Sequence, residues 1–257
     1  MGKIDRDYCF QDNKDFMTVA LPGGMAIVRR KDDAPELQEC LQHPEKLLDK
    51  ADILKDSRTT TAGVVKLLKN KEVFIKRFNN KGLAYSLKYM FREARPFRVW
   101  RAAWALEKAG IPTPRPMAAL AKYNCGFPGN AYLIRNVVPD IVPTLDFFIK
   151  VKESEELQKS YIQSIALMFA KMHDAGIYHG DAKCSNIYVE ACGKDKFAYG
   201  VWDLLSCRFG NNPISKTFRE KEISRIAWSF TEIFKRLGAE VDKGDIKAKI
   251  MHEYMRR

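Results

Sequence analysis

The chain has 257 residues, 46% of them hydrophobic and 30% charged, so it is long enough to bury a substantial core and too apolar to be wholly disordered. Its net charge of +12 favours partners that carry phosphate, namely nucleotides, nucleic acid or an anionic membrane face, although a solvated basic surface explains the charge equally well. Its six cysteines are scattered, with no C-x-x-C pair, which argues against a structural zinc site and favours a reducing compartment.

The sequence shows no signal for export or for membrane insertion. Met1–Asp7 is charged and lacks the apolar core of a signal peptide. The longest apolar run, around Ile165–Ala170, is far shorter than a membrane span. We therefore expect a cytoplasmic protein.

The first part of the chain is rich in predicted strands. Met25–Val28 follows a Pro-Gly-Gly turn and is predicted to be a short strand, whereas residues 35–50 are predicted to be a polar helix or two helical turns. Residues 55–78 combine β-branched and aromatic residues around a turn at Asn70-Lys71, which predicts a hairpin.

A helix is predicted next, over residues 85–109. Gly110 stops it, and the prolines of Ile111–Pro116 prevent it from resuming. Two strand-like segments follow, Met117–Lys122 and Asn130–Asn136. An extended linker over residues 137–143 then leads into the second half of the chain.

The second half is mostly helical by its apolar periodicity. Its predicted elements are a helix at Leu145–Ile149, a long helix at 155–175 that ends at Gly176, strands near Ile187–Val189 and Ala198–Trp202, and helices from about Lys221. A strand-rich half followed by a helix-rich half predicts two lobes joined near residues 137–145.

The most informative segment, Tyr178–Ile187, lies between the long helix and a predicted strand. It holds Asp181, then Lys183 and Asn186, and Asp203 follows the next strand. This order matches the catalytic loop of protein-kinase-like phosphotransferases, H-R-D-x-x-x-x-N followed by a metal-binding Asp.

Each residue type suits a step of phosphoryl transfer. Asp181 would orient the acceptor hydroxyl and take its proton, and Lys183 would offset the charge that develops on the transferred phosphoryl group. Asn186 and Asp203 supply hard oxygen ligands for Mg²⁺. His179 would support the loop through hydrogen bonds to the backbone rather than act as a base.

A simpler explanation exists for each residue taken alone. His-Gly-Asp could be an ordinary turn after a helix, and Asn186 could be its cap. The combination of a long amphipathic helix, H-x-D-x-K-x-x-N, an apolar strand and a later Asp is much harder to explain by chance. The set therefore favours the phosphotransferase interpretation.

The nucleotide-binding residues are less clearly marked. Lys76 ends Val-Phe-Ile-Lys, which resembles the V-A-I-K strand whose lysine pairs with the α- and β-phosphates. A G-x-G-x-x-G loop is absent, and Asp56–Thr61 occupies its place. Within it Ser57, Thr59 and Thr60 offer hydroxyl and backbone N–H groups to ATP instead of glycines.

The glutamate that should pair with Lys76 has two candidates. Glu93 is preferred because it lies in the first part of the predicted helix, and Glu107 is the alternative. The same stretch carries arginines that alternate with aromatic residues, which is typical either of a solvated face or of a patch for an anionic substrate or membrane. These arginines are Arg92, Arg95, Arg98 and Arg101.

Taken together, these residues resemble the lipopolysaccharide core kinases, the bacterial family that phosphorylates Kdo or heptose of the inner core. Val73–Phe78, Ala109–Pro116 and Tyr178–Asn186 carry the resemblance, which spans roughly residues 55–235. The Gly-Ile-Pro-Thr-Pro-Arg-Pro turn is the piece that separates this family from protein kinases in general.

The resemblance implies an α+β, bilobal protein-kinase-like fold with a small β-rich N-lobe and a larger helical C-lobe. Residues 1–54 would form an N-terminal extension or the start of the N-lobe, 55–140 the nucleotide-binding N-lobe, and 141–257 the C-lobe with the catalytic loop and metal site. The implied reaction uses ATP and Mg²⁺ to phosphorylate a sugar of an anionic glycolipid. Peripheral contact with the cytoplasmic face of the inner membrane is then expected, and no nucleic-acid partner.

Two other functions remain open on the sequence. Asp203-Leu204-Leu205 replaces D-F-G and no A-P-E follows, which favours a small-molecule or glycolipid acceptor, yet a kinase of the same fold could act on another small molecule or on a protein. The missing glycine loop instead motivates a catalytically inactive pseudokinase that binds a nucleotide or a membrane. The retained Lys76, Asp181, Asn186 and Asp203 argue against that alternative.

Overall fold

The computed structural model describes residues 4–67, 71–82, 86–87 and 90–256. The chain divides into two compact units, one comprising Asp5–Trp104 and Pro114–Val137, the other comprising Ala105–Thr113 and the chain from Val138 onward. Strands dominate the first unit and helices the second, which confirms the predicted α+β class.

The first unit is built on a seven-stranded antiparallel sheet with the order β1-β2-β6-β7-β5-β4-β3. The strands are β1 (Phe16–Leu21), β2 (Gly24–Arg29), β3 (Asp52–Asp56), β4 (Thr60–Lys66), β5 (Glu72–Phe78), β6 (Pro116–Asn124) and β7 (Phe127–Asn136). The helices of this part of the chain are α1 (Pro35–Gln42), α2 (Pro44–Leu48) and α3 (Arg95–Lys108). The predicted strand at Met25–Val28 and the helical turns within 35–50 are therefore confirmed.

One face of this sheet is closed by the two short helices. Val73 and Ile75 of β5 are fully buried, and they belong to one core cluster with Leu37 and Leu41 of α1. Burying such a side chain contributes about 1.5–3 kcal/mol. The predicted strands of residues 55–78 are confirmed, whereas part of the predicted turn, Asn70, lies outside the described residues.

The predicted helix of residues 85–109 is not continuous. Tyr85 lies outside the described residues, Ser86 and Leu87 are helical, residues 90–94 are not, and α3 begins at Arg95. Pro96 gives the physical reason, because a proline lacks the N–H that a continuous helix would require and is tolerated only in the first turn. The predicted stop is confirmed: Gly110 has φ +64° and donates to Glu107 O, a typical helix C-terminus.

The second unit combines four helices among its described residues with short strands. The helices are α4 (Thr144–Glu153), α5 (Glu155–Asp174), α6 (Lys216–Arg236) and α7 (Lys243–Met255). The strands are β8 (Ile141–Val142), β9 (Ile177–Tyr178), β10 (Ile187–Gly193), β11 (Lys196–Val201) and β12 (Arg208–Phe209). They form a three-stranded sheet, β11-β10-β8, and a two-stranded pair, β12-β9.

The long helix α5 is the best-predicted element of this unit. The Ser154 hydroxyl caps it by accepting from Leu157 N–H at 3.1 Å, and Gly176 with φ +72° lets the chain turn after its end. Its buried Tyr161 meets Phe147 and Phe148 of α4 edge to face. This aromatic core fixes the helix that leads into the predicted catalytic loop.

Helix α6 begins earlier than the predicted Lys221, at Lys216. Its first turn holds a single large apolar residue, Phe218, which is about half exposed, so the sequence shows no apolar periodicity there. The part of the predicted linker at Ile141–Val142 also differs from the expectation, since it pairs with β10 as a strand.

Candidate active site

The predicted catalytic loop connects β9 to a short 3₁₀ turn at Cys184–Asn186, which leads directly into β10. Gly180 has φ +82°, and a Cβ at this position would collide with the Ser206 carbonyl oxygen. Only glycine combines this left-handed conformation with so close an approach of two backbones. The loop that precedes Asp181 is therefore fixed by its backbone geometry.

Asp181, Lys183 and Asn186 are brought together at the mouth of this loop. The amide group of Asn186 donates to the backbone oxygen of Asp181 at 2.8 Å and to its carboxylate Oδ2 at 2.9 Å. Lys183 Nζ lies 3.0 Å from the same Oδ2. Because the NH₂ of Asn186 is used within the loop, its Oδ1 is the atom left to accept a cation.

Asp203 follows β11 and is exposed, in a left-handed conformation with φ 57° and ψ 55°. The residue before it is tied to the loop twice. Trp202 N–H donates to Asn186 O at 3.1 Å, and Trp202 O lies 3.1 Å from His179 Nε2. This left-handed backbone is uncommon for a residue with a side chain, and aspartate is one of the residues that adopt it most readily.

The oxygen donors of Asn186 and Asp203 suit Mg²⁺, which binds few protein ligands and fills its other positions with phosphate oxygens and water. Among the described residues, no group of three or more His, Cys, Asp or Glu side chains is placed to hold a metal ion. The residues therefore fit a cation shared with a bound nucleotide, and not one caged by protein alone.

His179 lies beneath the loop and is fully buried. Its Nε2 faces the carbonyl oxygen of Trp202, and its Nδ1 accepts from Asp181 N–H at 3.4 Å. Burial lowers the pKa of this imidazole, so the neutral ring, with its proton on Nε2, is the form that satisfies both contacts. The predicted role of His179 as a support of the loop is consistent with these contacts.

Glu222 of α6 is a residue that the sequence did not single out. Its carboxylate accepts from His179 N–H at 3.0 Å and from Gly180 N–H at 2.7 Å. It also pairs with His173 Nε2 at 3.0 Å, and the other nitrogen of that ring lies 2.9 Å from Tyr254 OH. The Glu222 and His173 side chains have no solvent exposure, so this network anchors the loop to three helices.

A second such residue, Arg225, lies one turn further along α6. Its guanidinium donates to Gly180 O at 2.5 Å and lies 3.9 Å from Asp181 Oδ1. The sequence does contain one indication of these two residues. Glu222 lies on the face of α6 whose next positions are the apolar Ile226 and Phe230. A charged residue in an apolar stripe, with an arginine three residues later on the same face, marks an element that meets a polar site.

Cys184 anchors the far side of the same loop. Its N–H donates to Ser229 Oγ of α6 at 3.0 Å, and burial raises the pKa of its thiol to about 11. The thiol is therefore protonated at neutral pH and packs as a small apolar group.

The nucleotide-binding candidates lie in the first unit. Lys76 is on β5, in register with Ala62 of β4 and Leu133 of β7, and its Nζ is 5.2 Å from the centre of the Phe78 ring. It is thus held on an inner strand of the sheet. Its role toward ATP stays a prediction.

The predicted covering loop is a tight turn between β3 and β4. Ser57 Oγ donates to Thr60 O at 2.9 Å and Thr60 is buried, whereas Thr59 is exposed. Thr59 O accepts from Asn79 N–H at 3.1 Å, and Arg95 donates to Asn79 O at 2.8 Å. All three hydroxyl groups take part in this turn, because Ser57 Oγ also lies 3.3 Å from Thr59 Oγ1 and 3.4 Å from Thr60 Oγ1, and Thr59 is the most exposed of the three residues.

The argument that favoured Glu93 over Glu107 is wrong, because Glu93 precedes helix α3. Its carboxylate accepts from Arg101 at 2.7 Å. Arg101 also pairs with Asp7 at 2.7 Å and lies over the Phe10 ring, so this member of the arginine set is held within the first unit. Which glutamate serves Lys76 stays a prediction.

Residues 40–252 match the model of the lipopolysaccharide kinase (Kdo/WaaP) family. The chain belongs to that family. It is 29% identical to a 3-deoxy-D-manno-octulosonic acid kinase of Vibrio parahaemolyticus over 51% of this chain and 50% of the relative. It is 25% identical to an enzyme of the same name from Actinobacillus succinogenes over 60% of each.

The match to these curated relatives spans only about half to three-fifths of their length. A solved structure of WaaP in complex with acyl carrier protein is similar in fold, with a TM-score of 0.63 and 16% identity over 87% of both chains. This likeness confirms the predicted bilobal, kinase-like fold class of the chain. Within the described residues, no helix has both the length and the apolar character needed to cross a bilayer.

Proposed function

We propose that this protein transfers the γ-phosphoryl group of ATP to a hydroxyl of a lipopolysaccharide inner-core sugar, heptose or Kdo. The observation that supports it best is the hydrogen-bonded set of Asp181, Lys183 and Asn186 on a loop in the order that phosphotransferases use. Membership of the family supports the sugar acceptor, and the names of the two curated relatives favour Kdo over heptose.

The two oxygens of Asp181 have different surroundings, which indicates how they would act. Oδ2 accepts from Asn186 and pairs with Lys183, whereas Oδ1 has Arg225 at 3.9 Å as its nearest charged neighbour. Oδ1 is therefore the atom that would accept the proton of the sugar hydroxyl as that oxygen attacks phosphorus. Lys183 lies on the opposite side of the carboxylate, where it would offset charge on the transferred group.

In this proposal residues 55–140 form the nucleotide-binding lobe and residues 141–257 form the lobe with the catalytic loop. Lys76 would pair with the phosphates of ATP, and Asn186 and Asp203 would hold Mg²⁺. When bound, Mg²⁺ neutralises phosphate charge during transfer. The positive charge of the chain supports a cytoplasmic enzyme that meets its anionic glycolipid at the inner face of the membrane.

The test is label transfer from [γ-³²P]ATP to purified core oligosaccharide and, in parallel, to a generic protein. We expect the sugar to be labelled by the wild type and not by Asp181→Asn. Asp195→Asn is the matched control, because Asp195 is exposed in the β10–β11 turn and already has a left-handed φ that asparagine tolerates. Labelling of the protein alone would overturn the sugar acceptor.

The binding of ATP and Mg²⁺ distinguishes the proposed enzyme from an inactive pseudokinase. Thermal unfolding is followed with Mg²⁺ and ATP for the wild type and for Asp203→Asn. The proposal predicts stabilisation that needs the metal and weakens in the variant. Stabilisation that does not depend on the metal, without turnover, would instead indicate a nucleotide-binding protein that has lost catalysis.

A further inference from the structure

The guanidinium of Arg225 is held beside the catalytic carboxylate without being committed to it. One of its NH₂ groups donates to Gly180 O at 2.5 Å, and the same group lies 3.9 Å from Asp181 Oδ1, which is too far for a hydrogen bond. Within the described part of the chain, its other N–H groups have no hydrogen-bond partner. The side chain is 34% exposed, so these donors are accessible to a ligand.

The position of Arg225 places it on the acceptor side of Asp181. Lys183 and Asn186 both engage Oδ2, and Arg225 faces Oδ1, the oxygen proposed to receive the hydroxyl proton. A group attached to the acceptor one or two carbons from that hydroxyl would come within reach of the guanidinium.

We propose that Arg225 binds an anionic substituent of the acceptor sugar and thereby makes the enzyme selective for an acidic sugar. A planar guanidinium with free parallel donors binds a carboxylate or a phosphate through two hydrogen bonds. A carboxylate on the phosphorylated sugar itself is the source that the short distance to Asp181 favours. This inference rests on the proposed function, and it names the chemical class of the acceptor.

The experiment compares kcat/KM for an oligosaccharide that bears a sugar acid with kcat/KM for the same oligosaccharide after its carboxyl group is reduced to an alcohol. A third acceptor keeps the carboxylate and lacks neighbouring phosphates. The enzymes are the wild type, Arg225→Gln, Arg225→Lys and the control Arg236→Gln. Arg236 is an exposed arginine at the end of the same helix, so the control removes the same charge.

We expect the wild type and Arg236→Gln to prefer the carboxylate by tenfold or more. Arg225→Gln should lose that preference, with KM for ATP unchanged, and Arg225→Lys should recover part of it. The ratio of the two acceptors does not depend on how much of a variant is folded, so a structural defect cannot imitate this result. Sensitivity to phosphate removal that disappears in Arg225→Gln would support anion binding with phosphate as the source.

An equal loss toward all acceptors in Arg225→Gln would overturn the inference, because it would show that Arg225 only holds the Gly180 carbonyl. A wild type that does not distinguish the acceptors would overturn it as well. Failure of the proposed function gives a different result, namely no transfer by the wild type to any of the sugars.

Discussion

Glu222 accepts a hydrogen bond of 2.7 Å from the backbone N–H of Gly180, forty-two residues earlier in the chain. The same carboxylate accepts from His179 N–H and pairs with buried His173. The residue just before Asp181, the proposed catalytic aspartate, is thus held by a helix that the motif itself does not include. Loss of the Glu222 charge should therefore affect both folding and catalysis.

Glu222→Gln is expected to lower the free energy of unfolding by about 1–3 kcal/mol, because a fully buried side chain that accepts three hydrogen bonds loses one of its acceptor oxygens. One of the three donors would then face an NH₂ group instead of an oxygen. Urea unfolding measures this change. The control is Glu220→Gln, whose pairing with Lys216 is exposed and worth less than about 1 kcal/mol; equal losses in both variants would contradict the anchoring role.

Gly180→Ala tests the geometry of the loop. The φ of +82° and the collision with Ser206 O both oppose a Cβ, so we expect destabilisation and at least a tenfold loss of kcat. Gly238→Ala separates the two causes, because Gly238 has φ +67° with nothing within 4 Å of the added Cβ. It should cost about 1–2 kcal/mol and leave kcat unchanged. A Gly180→Ala enzyme with normal kcat would show that the loop tolerates displacement.

Stability should depend on pH through His179. Burial lowers its pKa in the folded protein from the ordinary value of 6.5, so below that value the unfolded chain binds more protons than the folded one. The stabilisation is complete above pH 6.5 and is lost as the pH falls from there toward the folded pKa, with a slope of up to about 1.4 kcal/mol per pH unit.

The measurement is the free energy of unfolding in urea between pH 5 and 8. The wild type should show this slope, and His179→Gln should show a smaller one, because glutamine does not titrate. The two proteins differ in no other titratable group, so the difference between their slopes reports on His179. Identical slopes would mean that His179 is not held neutral in the folded protein.

The reactivity of the Cys184 thiol should show how tightly the loop at Tyr178–Ile187 is packed against α6. Alkylation of the native protein is expected to modify the exposed Cys125 and Cys192 first and to leave Cys184 unmodified, because Cys184 is buried and the pKa of its thiol is about 11. Peptide mass spectrometry measures the extent at each site, and denatured protein is the control in which every cysteine reacts. Rapid modification of native Cys184 would contradict the packing described above.

The sequence predicted the parts of this protein that depend on local pattern. The periodicity of α5 and the spacing of Asp181 and Asn186 are local, and the structure has both the helix and the hydrogen bond between the two side chains. The beginning of α3 was missed although Pro96 marks it, because the aromatic and arginine residues before it have a helical spacing.

Glu222 and Arg225 could not be found in the same way. Their importance depends on which helix packs beneath the loop, and that depends on contacts between residues far apart in the chain. In the sequence, such a contact is indicated only by a charged residue at a helix position that the pattern otherwise fills with apolar residues. Glu222 is such a residue in this chain, and Arg225 follows it one turn later.

The central claim, phosphorylation of a core sugar by means of Asp181, is tested most directly by the mass of the core oligosaccharide. The sugar is isolated from cells that lack the gene and from the same cells complemented with the wild type or with Asp181→Asn. The wild type should add about 80 Da, the mass of one phosphate, and Asp181→Asn should add nothing. An unchanged mass with the wild type, or the same gain with the variant, would contradict the account.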